Sequence, residues 1–431
     1  MSIAIVLPGG GARGAYEAGA LSVLLPALHA RGEQIRVICG TSVGAINAAL
    51  LGSIADLPAE EQAETIVERW GKLRKGDVLA PLVGPGLPLT ALRFVGELLE
   101  LPGVRLASVM DPGPLRASLE RWIDWLGLHR NVKAGVVDAV CVVASALTRG
   151  GPVAFVESDG ALPAPRAAGG LRYVRTQLAG EHVRASAAIP LLFPPVEITS
   201  PRAAAGFYID GGTRLNSPIA PALALGADKV IVIGFEPFAQ SATAPVAPPP
   251  PRMADVAANI LDGLLVDQVA DDLHRLAAIN AFFVEGPGAA GLSRSARAYR
   301  TANGRQAYRR ISYALVAPAR RGELGELAEQ VFQERYAGWR GLLSPDYPLL
   351  SRILGGGRTR ARGELLSFLL FDEHHIERLQ QAGARDARTW LERHPRFWCS
   401  DAAHDLQLDP GDQANVREQV VLDEWRSLRR R

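Results

Sequence analysis

The chain has few cysteines and no long apolar run, and each of these absences excludes certain classes of protein. Only three cysteines occur among the 431 residues, at Cys39, Cys141 and Cys399. Because they are odd in number and widely spaced, the sequence predicts neither a disulfide framework nor a cysteine metal site. No run reaches the roughly 18 apolar residues that a membrane-spanning helix needs, and the N-terminal segment lacks the basic start of a signal peptide. We therefore expect a cytoplasmic protein.

An excess of charge of either sign is also missing. The 47 basic and 45 acidic residues leave a formal net charge of +2, which gives no field to attract nucleic acid or an anionic lipid surface. Aromatic residues make up only 6% of the chain, whereas apolar residues make up 48%. We therefore expect a large core that is built mainly from aliphatic side chains.

Strand-like and helix-like segments alternate over the first 240 residues. Short β-rich runs at 2–7 and 35–39 are each followed by glycines and a helical stretch. Continuous apolar runs at 140–146 and 229–233 are typical of strands that are buried on both faces. This alternation predicts an α/β fold with a mostly parallel central sheet flanked by helices.

A proline-rich stretch marks the clearest boundary in the chain. Residues 241–252 are predicted to be an extended linker between an α/β domain at 1–240 and a mainly helical C-terminal region at 253–431. Residues 311–316 are a candidate strand within that region. The predicted helices of the C-terminal region lie at 253–283, 322–339, 362–370 and 374–382.

Two segments of the α/β domain are loops or insertions. The insertion at 79–101 is apolar, and it is either a flap that contacts lipid or a helix that covers the sheet. Residues 159–172 are rich in glycine, alanine and proline, and we predict that they form the tip of a hairpin.

The strongest chemical signal is a serine in a glycine-flanked turn. Gly40, Thr41, Ser42, Val43 and Gly44 follow a β run directly and precede a helix. The glycines permit a tight strand-to-helix turn that presents the serine Oγ at the helix N-terminus. The helix dipole and the free N–H groups there favour developing negative charge. The pattern predicts a nucleophile elbow with Ser42 as nucleophile, and a tight turn without catalytic role is the alternative.

A glycine-rich loop lies between the first strand and the first helix. Its motif residues are Gly9, Gly10, Gly11, Arg13 and Gly14. The loop also matches the dinucleotide-binding pattern, but the second strand ends at Cys39 rather than at the acidic residue that would bind a ribose. Beside a nucleophile, such a loop suits an oxyanion hole, in which Arg13 adds fixed positive charge or braces the loop. We therefore expect no nucleotide and no other cofactor.

The serine needs a base, which in most serine hydrolases is a histidine. None of the eight histidines lies in a glycine-flanked turn after a strand, but Asp210 does, because Gly211 and Gly212 follow it. If its strand ends at the same sheet edge as the first two, three loops meet where open α/β sheets bind ligands. We predict Asp210 as the base. We predict no metal site, since the adjacent His374 and His375 would point in different directions on a helix.

In this order, the glycine loop, the serine turn and the Asp210 turn resemble the patatin-like phospholipase family. The segments 185–196 and 216–228 match it too, so that the resemblance covers about residues 3–235. It implies a three-layer α/β/α fold and a dyad of Ser42 and Asp210 without histidine. It also implies that the N–H groups of Gly10 and Gly11 hold the oxyanion, and that lipid acyl esters are cleaved without metal.

The leading functional hypothesis is a phospholipase A or lysophospholipase-like hydrolase that works through an acyl-enzyme. It would meet its lipid substrate by peripheral contact with a membrane, and no nucleic-acid partner is expected. One alternative is a general carboxylesterase or thioesterase that acts on small acyl groups. Another is a lipid-binding scaffold with negligible turnover. The sequence leaves the lipid headgroup and the oligomeric state open.

Overall fold

A computed structural model of the chain describes seven ranges of residues. They are 1–78, 113–148, 150–163, 170–190, 193–237, 311–336 and 360–399. The insertion at 79–101, the linker at 241–252 and the helix predicted at 253–283 lie outside the described residues.

The described strands form one sheet with a parallel centre. In chain order they are β1 (Ile3–Leu7), β2 (Ile35–Thr41), β3 (Ala139–Ala146), β4 (Pro152–Glu157), β5 (Arg172–Arg175), β6 (Val196–Ile198), β7 (Gly206–Asp210), β8 (Lys229–Ile233) and β9 (Ser312–Val316). Seven of them are ordered β5-β4-β3-β2-β1-β8-β9, and the five strands from β3 to β9 in this order are parallel. β7 pairs with β3 outside this order, and β6 pairs with β7. The prediction of a mostly parallel sheet is confirmed.

Helices flank this sheet. Those before the predicted linker are α1 (Gly14–His29), α2 (Val43–Ser53), α3 (Ala59–Gly71), α4 (Lys75–Val78), α5 (Gly113–Trp122), α6 (Trp125–Lys133), α7 (Gly180–Ser186), α8 (Gly212–Leu215) and α9 (Ile219–Ala224). Those after it are α10 (Glu323–Tyr336), α11 (Arg360–Leu369) and α12 (Glu373–Arg393). Every residue of α2 is buried, since nearly all are small or apolar and the helix packs on β2 and β3. Within the described ranges, no helix has the length and apolarity to cross a membrane.

The loop at 159–172 does not close a hairpin, so this prediction is wrong. The strands that it joins, β4 and β5, are parallel, with Val153 opposite Arg172 and Val156 opposite Arg175. The hairpin lies one connection earlier, between β3 and the antiparallel β4. Loop composition carries no information about strand direction, which depends on pairing between distant segments.

Two strands meet end to end beside β3, and this junction positions the candidate site. β2 finishes with Thr41 opposite Val143, and β7 then occupies the next positions, with Asp210 opposite Ala144. β4 occupies the other edge of β3 there. β7 thus ends where β2 ends, as the sequence led us to expect, although it runs in the opposite direction. Because β7 is antiparallel to β3, it approaches from beyond the carboxyl ends of the parallel strands.

The C-terminal region shares the core of the α/β domain. At the candidate strand 311–316, β9 pairs parallel with β8 and extends the sheet. α12 packs along α1, where the Tyr16 hydroxyl donates to Asp386 at 2.8 Å. One continuous cluster of buried apolar side chains includes both regions.

The C-terminal helices follow their sequence signals closely. Asp372 caps the N-terminus of α12, because its carboxylate accepts hydrogen bonds from the N–H groups of His374 and His375. The helix predicted at 374–382 extends to Arg393, beyond its predicted end. The prediction of a helical C-terminal region is confirmed.

Candidate active site

Ser42 lies in a strained turn between β2 and α2. Its φ of 53° and ψ of −121° are unusual for a residue with a side chain, and among the described non-glycine residues only Phe397 shares a positive φ. The turn brings α2 so close to β1 that a Cβ on Gly44 would lie 2.0 Å from the Leu7 carbonyl oxygen. Gly40 packs against the backbone of Gly44 across the turn. The Ser42 side chain therefore stands at the N-terminus of α2.

Hydrogen bonds to neighbouring segments hold this turn. The Ser42 N–H donates to Ser186 Oγ at 2.8 Å, and the Ser186 hydroxyl donates to the Val143 carbonyl at 2.5 Å. The Thr41 hydroxyl donates to the Leu215 carbonyl at 3.1 Å. These bonds satisfy polar groups that the strained turn would otherwise leave buried and unpaired.

Asp210 is fully buried at the end of β7. Its Oδ1 accepts the Gly212 N–H at 2.6 Å, whereas its Oδ2 forms no regular hydrogen bond with a described group. Burial raises the pKa of Asp210 to about 7, and the Ser42 hydroxyl and the Gly212 N–H oppose this rise because they favour the carboxylate. The Ser42 hydroxyl thus lies near enough to act on Asp210 without a regular hydrogen bond.

The end of α7 and the residues that follow it hold the backbone of Asp210 and Gly211. The Ser186 carbonyl accepts the Gly211 N–H at 3.3 Å, and the Ala188 carbonyl accepts the Asp210 N–H at 2.9 Å. A cavity of about 270 Å³ adjoins this segment. Its walls are mainly apolar and include Leu115, Ala187, Ala188, Phe193 and Val196, with Arg184 and Glu197 as charged members.

The glycine loop lies against Ser42. A Cβ on Gly9 would be 2.9 Å from the Ser42 Cβ, and the Gly9 N–H donates to Asn216 Oδ1 at 2.8 Å. The N–H groups of Gly10 and Gly11 donate to no described acceptor. Two unpaired N–H groups beside a serine can stabilise negative charge on a substrate oxygen.

Behind this loop, a buried polar network fixes the start of α1. The Asn47 side-chain amide donates to the Gly14 carbonyl at 3.0 Å and to Glu17 at 2.7 Å, and it accepts from Trp70 at 2.8 Å. Burial raises the pKa of Glu17 well above its ordinary value. Gly14 also packs against Val43, so that the starts of α1 and α2 touch.

The Arg13 side chain is directed to α11. It is fully buried, its Nε donates to Ser367 Oγ at 2.7 Å, and its Nη2 pairs with the Glu364 carboxylate. The guanidinium lies 4.2 Å from the centre of the Phe368 ring. Of the two roles considered for Arg13, this geometry favours bracing of the loop over a fixed positive charge for the oxyanion.

The buried histidines have other surroundings. The His182 ring packs at a tilt of 57° against Phe155, with ring centres 4.8 Å apart, and burial lowers the pKa of His182. Burial also lowers the pKa of His375, to about 4, while the exposed His374 contacts Arg335. No described histidine is hydrogen-bonded to the candidate nucleophile or base.

Four residues that shape the site were not among the predicted site residues, and Ser186 was expected only to pack or to cap a helix. Ser186 and Asn216 lie in segments that resemble the family, and this could have drawn attention to them. Asn47 has no signal beyond its place in the helix after Ser42. Glu364 has none, because Arg13 is 351 residues away in the chain.

Comparison with known proteins assigns the family. Among solved structures, the crystal structure of VipD from Legionella pneumophila is 12% identical and has a TM-score of 0.31, over 96% of this chain and 90% of that chain. A likeness at that level does not bear on function. No curated protein matches the chain. The family model of patatin-like phospholipase matches residues 5–223, about half of the chain. The chain belongs to the patatin-like phospholipase family.

Proposed function

We propose that the protein hydrolyses lipid acyl esters, with Ser42 as nucleophile and Asp210 as base. The observation that carries this proposal is the end-to-end meeting of β2 and β7 along β3. It puts a serine in a strained turn beside a buried carboxyl whose pKa is about 7. Membership of the family supports a lipid acyl hydrolase activity in general terms.

In the first half-reaction, Asp210 accepts the hydroxyl proton of Ser42 while Oγ attacks the acyl carbonyl carbon. The carbonyl oxygen becomes an oxyanion, and the N–H groups of Gly10 and Gly11 stabilise it. The ester C–O bond then breaks, and the leaving alcohol takes the proton from Asp210. The acyl group remains on Ser42.

In the second half-reaction, a water molecule replaces the alcohol. Asp210 accepts a proton from this water as its oxygen attacks the acyl carbon, and the same N–H groups stabilise the second oxyanion. The bond to Ser42 breaks, Oγ recovers its proton from Asp210, and the carboxylic acid leaves. One carboxyl with a pKa near 7 suits both directions of proton transfer at neutral pH.

Apolar contact would bring the lipid to the site. The cavity of about 270 Å³ lined by Ala187 and Ala188, the second of which is hydrogen-bonded to Asp210, is the proposed place for the acyl chain. Leu147 and Phe207 are adjacent and each 47% exposed beyond the carboxyl end of β3, the end at which Ser42 stands. We propose that this pair touches the lipid surface, since a net charge near zero supplies no electrostatic attraction.

The test uses the purified full-length protein and its Ser42→Ala variant. Wild type should react with a fluorophosphonate probe at Ser42 and release fatty acid from phospholipid micelles, whereas the variant should do neither. Absence of labelling and of turnover in wild type would establish a scaffold. Turnover of short aryl esters and thioesters alone would establish an esterase for small acyl groups.

The lipid-contact pair has its own test. Phe207→Ser should lower hydrolysis of micellar phospholipid several-fold while it spares a short soluble ester. Leu126, which is 77% exposed on α6, gives the matched control, because Leu126→Ser should spare both substrates. Equal effects of the two variants on micelles would contradict the assignment of this pair.

A further inference from the structure

α11, which lies outside the region matched by the family model, packs directly on the glycine loop. Phe368 contacts it through its backbone, because its carbonyl oxygen fills the space beside Gly11 where a Cβ would lie, at 2.2 Å. Gly11 has a φ of 56°, which side chains rarely adopt. The glycine loop therefore adopts its backbone conformation in direct contact with the C-terminal end of α11.

Side chains of α11 also hold the loop, through Arg13. Ser367 Oγ accepts from Arg13 Nε at 2.7 Å, and the Glu364 carbonyl accepts from Nη2 at 3.3 Å. The Glu364 carboxylate pairs with the same Nη2, and both side chains are almost completely buried. A buried guanidinium needs a paired counter-charge, so this contact fixes the direction in which Arg13 leaves the loop.

The loop is thus clamped at both ends. Asn216 holds Gly9 at the start, and α11 holds Arg13 at the end. Between these clamps lie the two N–H groups, of Gly10 and Gly11, that the mechanism gives to the oxyanion. An oxyanion donor must stay within a few tenths of an ångström of its productive position to be effective.

We propose that Glu364 and Ser367 are positioning residues for the oxyanion hole and act through Arg13. This inference rests on the proposed function. It means that the catalytic geometry of the α/β domain is completed by a helix beyond the matched region. Glu364 and Ser367 do not touch the substrate, and their effect is on where the Gly10 and Gly11 N–H groups point.

The experiment measures kcat and KM of full-length Glu364→Gln and Ser367→Ala on a soluble aryl ester. Glu364→Gln should lower kcat about tenfold or more, and Ser367→Ala should lower it several-fold, because a misplaced donor weakens binding of the transition state alone. KM should change less than about twofold. The rise of rate with pH should keep its midpoint, since Asp210 is untouched, whereas general loosening that admits water would lower it.

Two further variants separate positioning from a general structural role. Glu334→Gln breaks an exposed ion pair with Arg378 in the same C-terminal region and should leave kcat unchanged. In a cycle with Arg13→Gln, the double variant with Glu364→Gln should be no slower than Arg13→Gln alone, because Glu364 acts through Arg13. Independent, multiplicative losses would overturn the proposal.

The outcomes distinguish this inference from the function on which it rests. An inactive wild type would defeat the proposed function itself. An active wild type with unchanged kcat in Ser367→Ala and Glu364→Gln would defeat only the positioning role. If Glu364→Gln fails to fold, the milder Ser367→Ala decides, and an unchanged kcat in that variant overturns the inference.

Discussion

The serine turn and the glycine loop lie side by side, but different parts of the chain hold them. The serine turn is fixed within the region that the family model matches, by Ser186 and by the packing of Gly44 on β1. In the same region, Asn216 holds Gly9 at the start of the glycine loop, and Asn47 holds the Gly14 carbonyl behind it. The Arg13 side chain of the loop is held by α11, outside that region.

The serine turn and the glycine loop are held differently because the nucleophile and the oxyanion donors need different kinds of support. A nucleophile in a strained turn needs local rigidity, which the parallel sheet and the buried α2 already supply. Oxyanion donors need a loop held in one position against a developing charge, and here a distant helix supplies the contact. The serine turn is therefore a property of the α/β domain, whereas the loop geometry depends on both regions.

The largest effect on kcat is expected from Asp210→Asn, which changes the proposed base of Ser42. The amide keeps the shape of the carboxyl but cannot accept the serine proton, so kcat should fall ~10²-fold or more. In wild type, the rate should rise with pH through about 7 as Asp210 loses its proton. The pH–rate profile of a soluble ester measures both, and a variant that retains the wild-type rise would rule out Asp210 as the base.

Asp210→Asn should also stabilise the fold at alkaline pH. Because the pKa of Asp210 is raised from 3.8 to about 7, the folded state holds a proton that the unfolded chain releases. The free energy of unfolding therefore falls as pH rises through this window. The variant lacks this loss and should melt above wild type at about pH 8, although it is inactive.

On the loop side, Gly10→Ala is expected to have the next largest effect. Its Cβ would lie 2.3 Å from the Phe235 ring, so the loop or the ring must move. Displacement of the N–H groups should lower kcat about 10²-fold with little change in KM. Gly10→Ala combined with Phe235→Leu should recover part of kcat. A folded double variant without recovery would show that the clash is not the cause.

Local sequence patterns identified the candidate residues of the serine turn, the Asp210 turn and the glycine loop. Glycines around Ser42, glycines after Asp210 and the run from Gly9 to Gly14 each imply a turn from a few neighbouring positions. The mostly parallel sheet followed from apolar runs in the same way. Their catalytic roles stay predictions, because they concern chemistry rather than backbone shape.

Features that depend on distant pairing could not be predicted. The direction of β7 is set by contact between Asp210 and Ala144, and nothing near Asp210 encodes it. The parallel pairing of β4 and β5 is similar. The partners of Arg13 lie on α11, so the sequence left the role of Arg13 open between a fixed positive charge and a brace for the loop. A single sequence gives periodicity and turns, but not which segments meet.

Ser186→Ala gives a smaller effect and tests the clamp of the serine turn. It leaves the buried Ser42 N–H without an acceptor, so kcat should fall about tenfold, the scale of one hydrogen bond. Ser53→Ala is the matched control, since this buried hydroxyl bonds only within α2, to the Leu50 carbonyl. If both variants retain full kcat, the packing of Gly44 alone holds the turn.

The smallest expected effect is on the pH dependence of stability. It comes from His375, which is buried beneath the contact between α11 and the glycine loop. Burial lowers its pKa from 6.5 to about 4, although the Ser367 backbone and Asp372 favour the charged form. The unfolded chain therefore takes up a proton that the folded state refuses, and the free energy of unfolding falls as pH drops from 6.5 towards 4. Asp210 has the opposite slope between 3.8 and 7, so the two groups partly cancel in wild type.

Asp210→Asn removes the opposing slope of Asp210, and the raised pKa of Glu17 contributes alike to every variant in that background. In that background, His375→Phe should gain a few degrees of melting temperature over its parent at about pH 4.5 relative to about pH 6.5. His29→Phe is the control, because it removes an exposed histidine from α1 and should show no such gain. If His375→Phe shows no gain either, the buried His375 does not make the fold sensitive to acid.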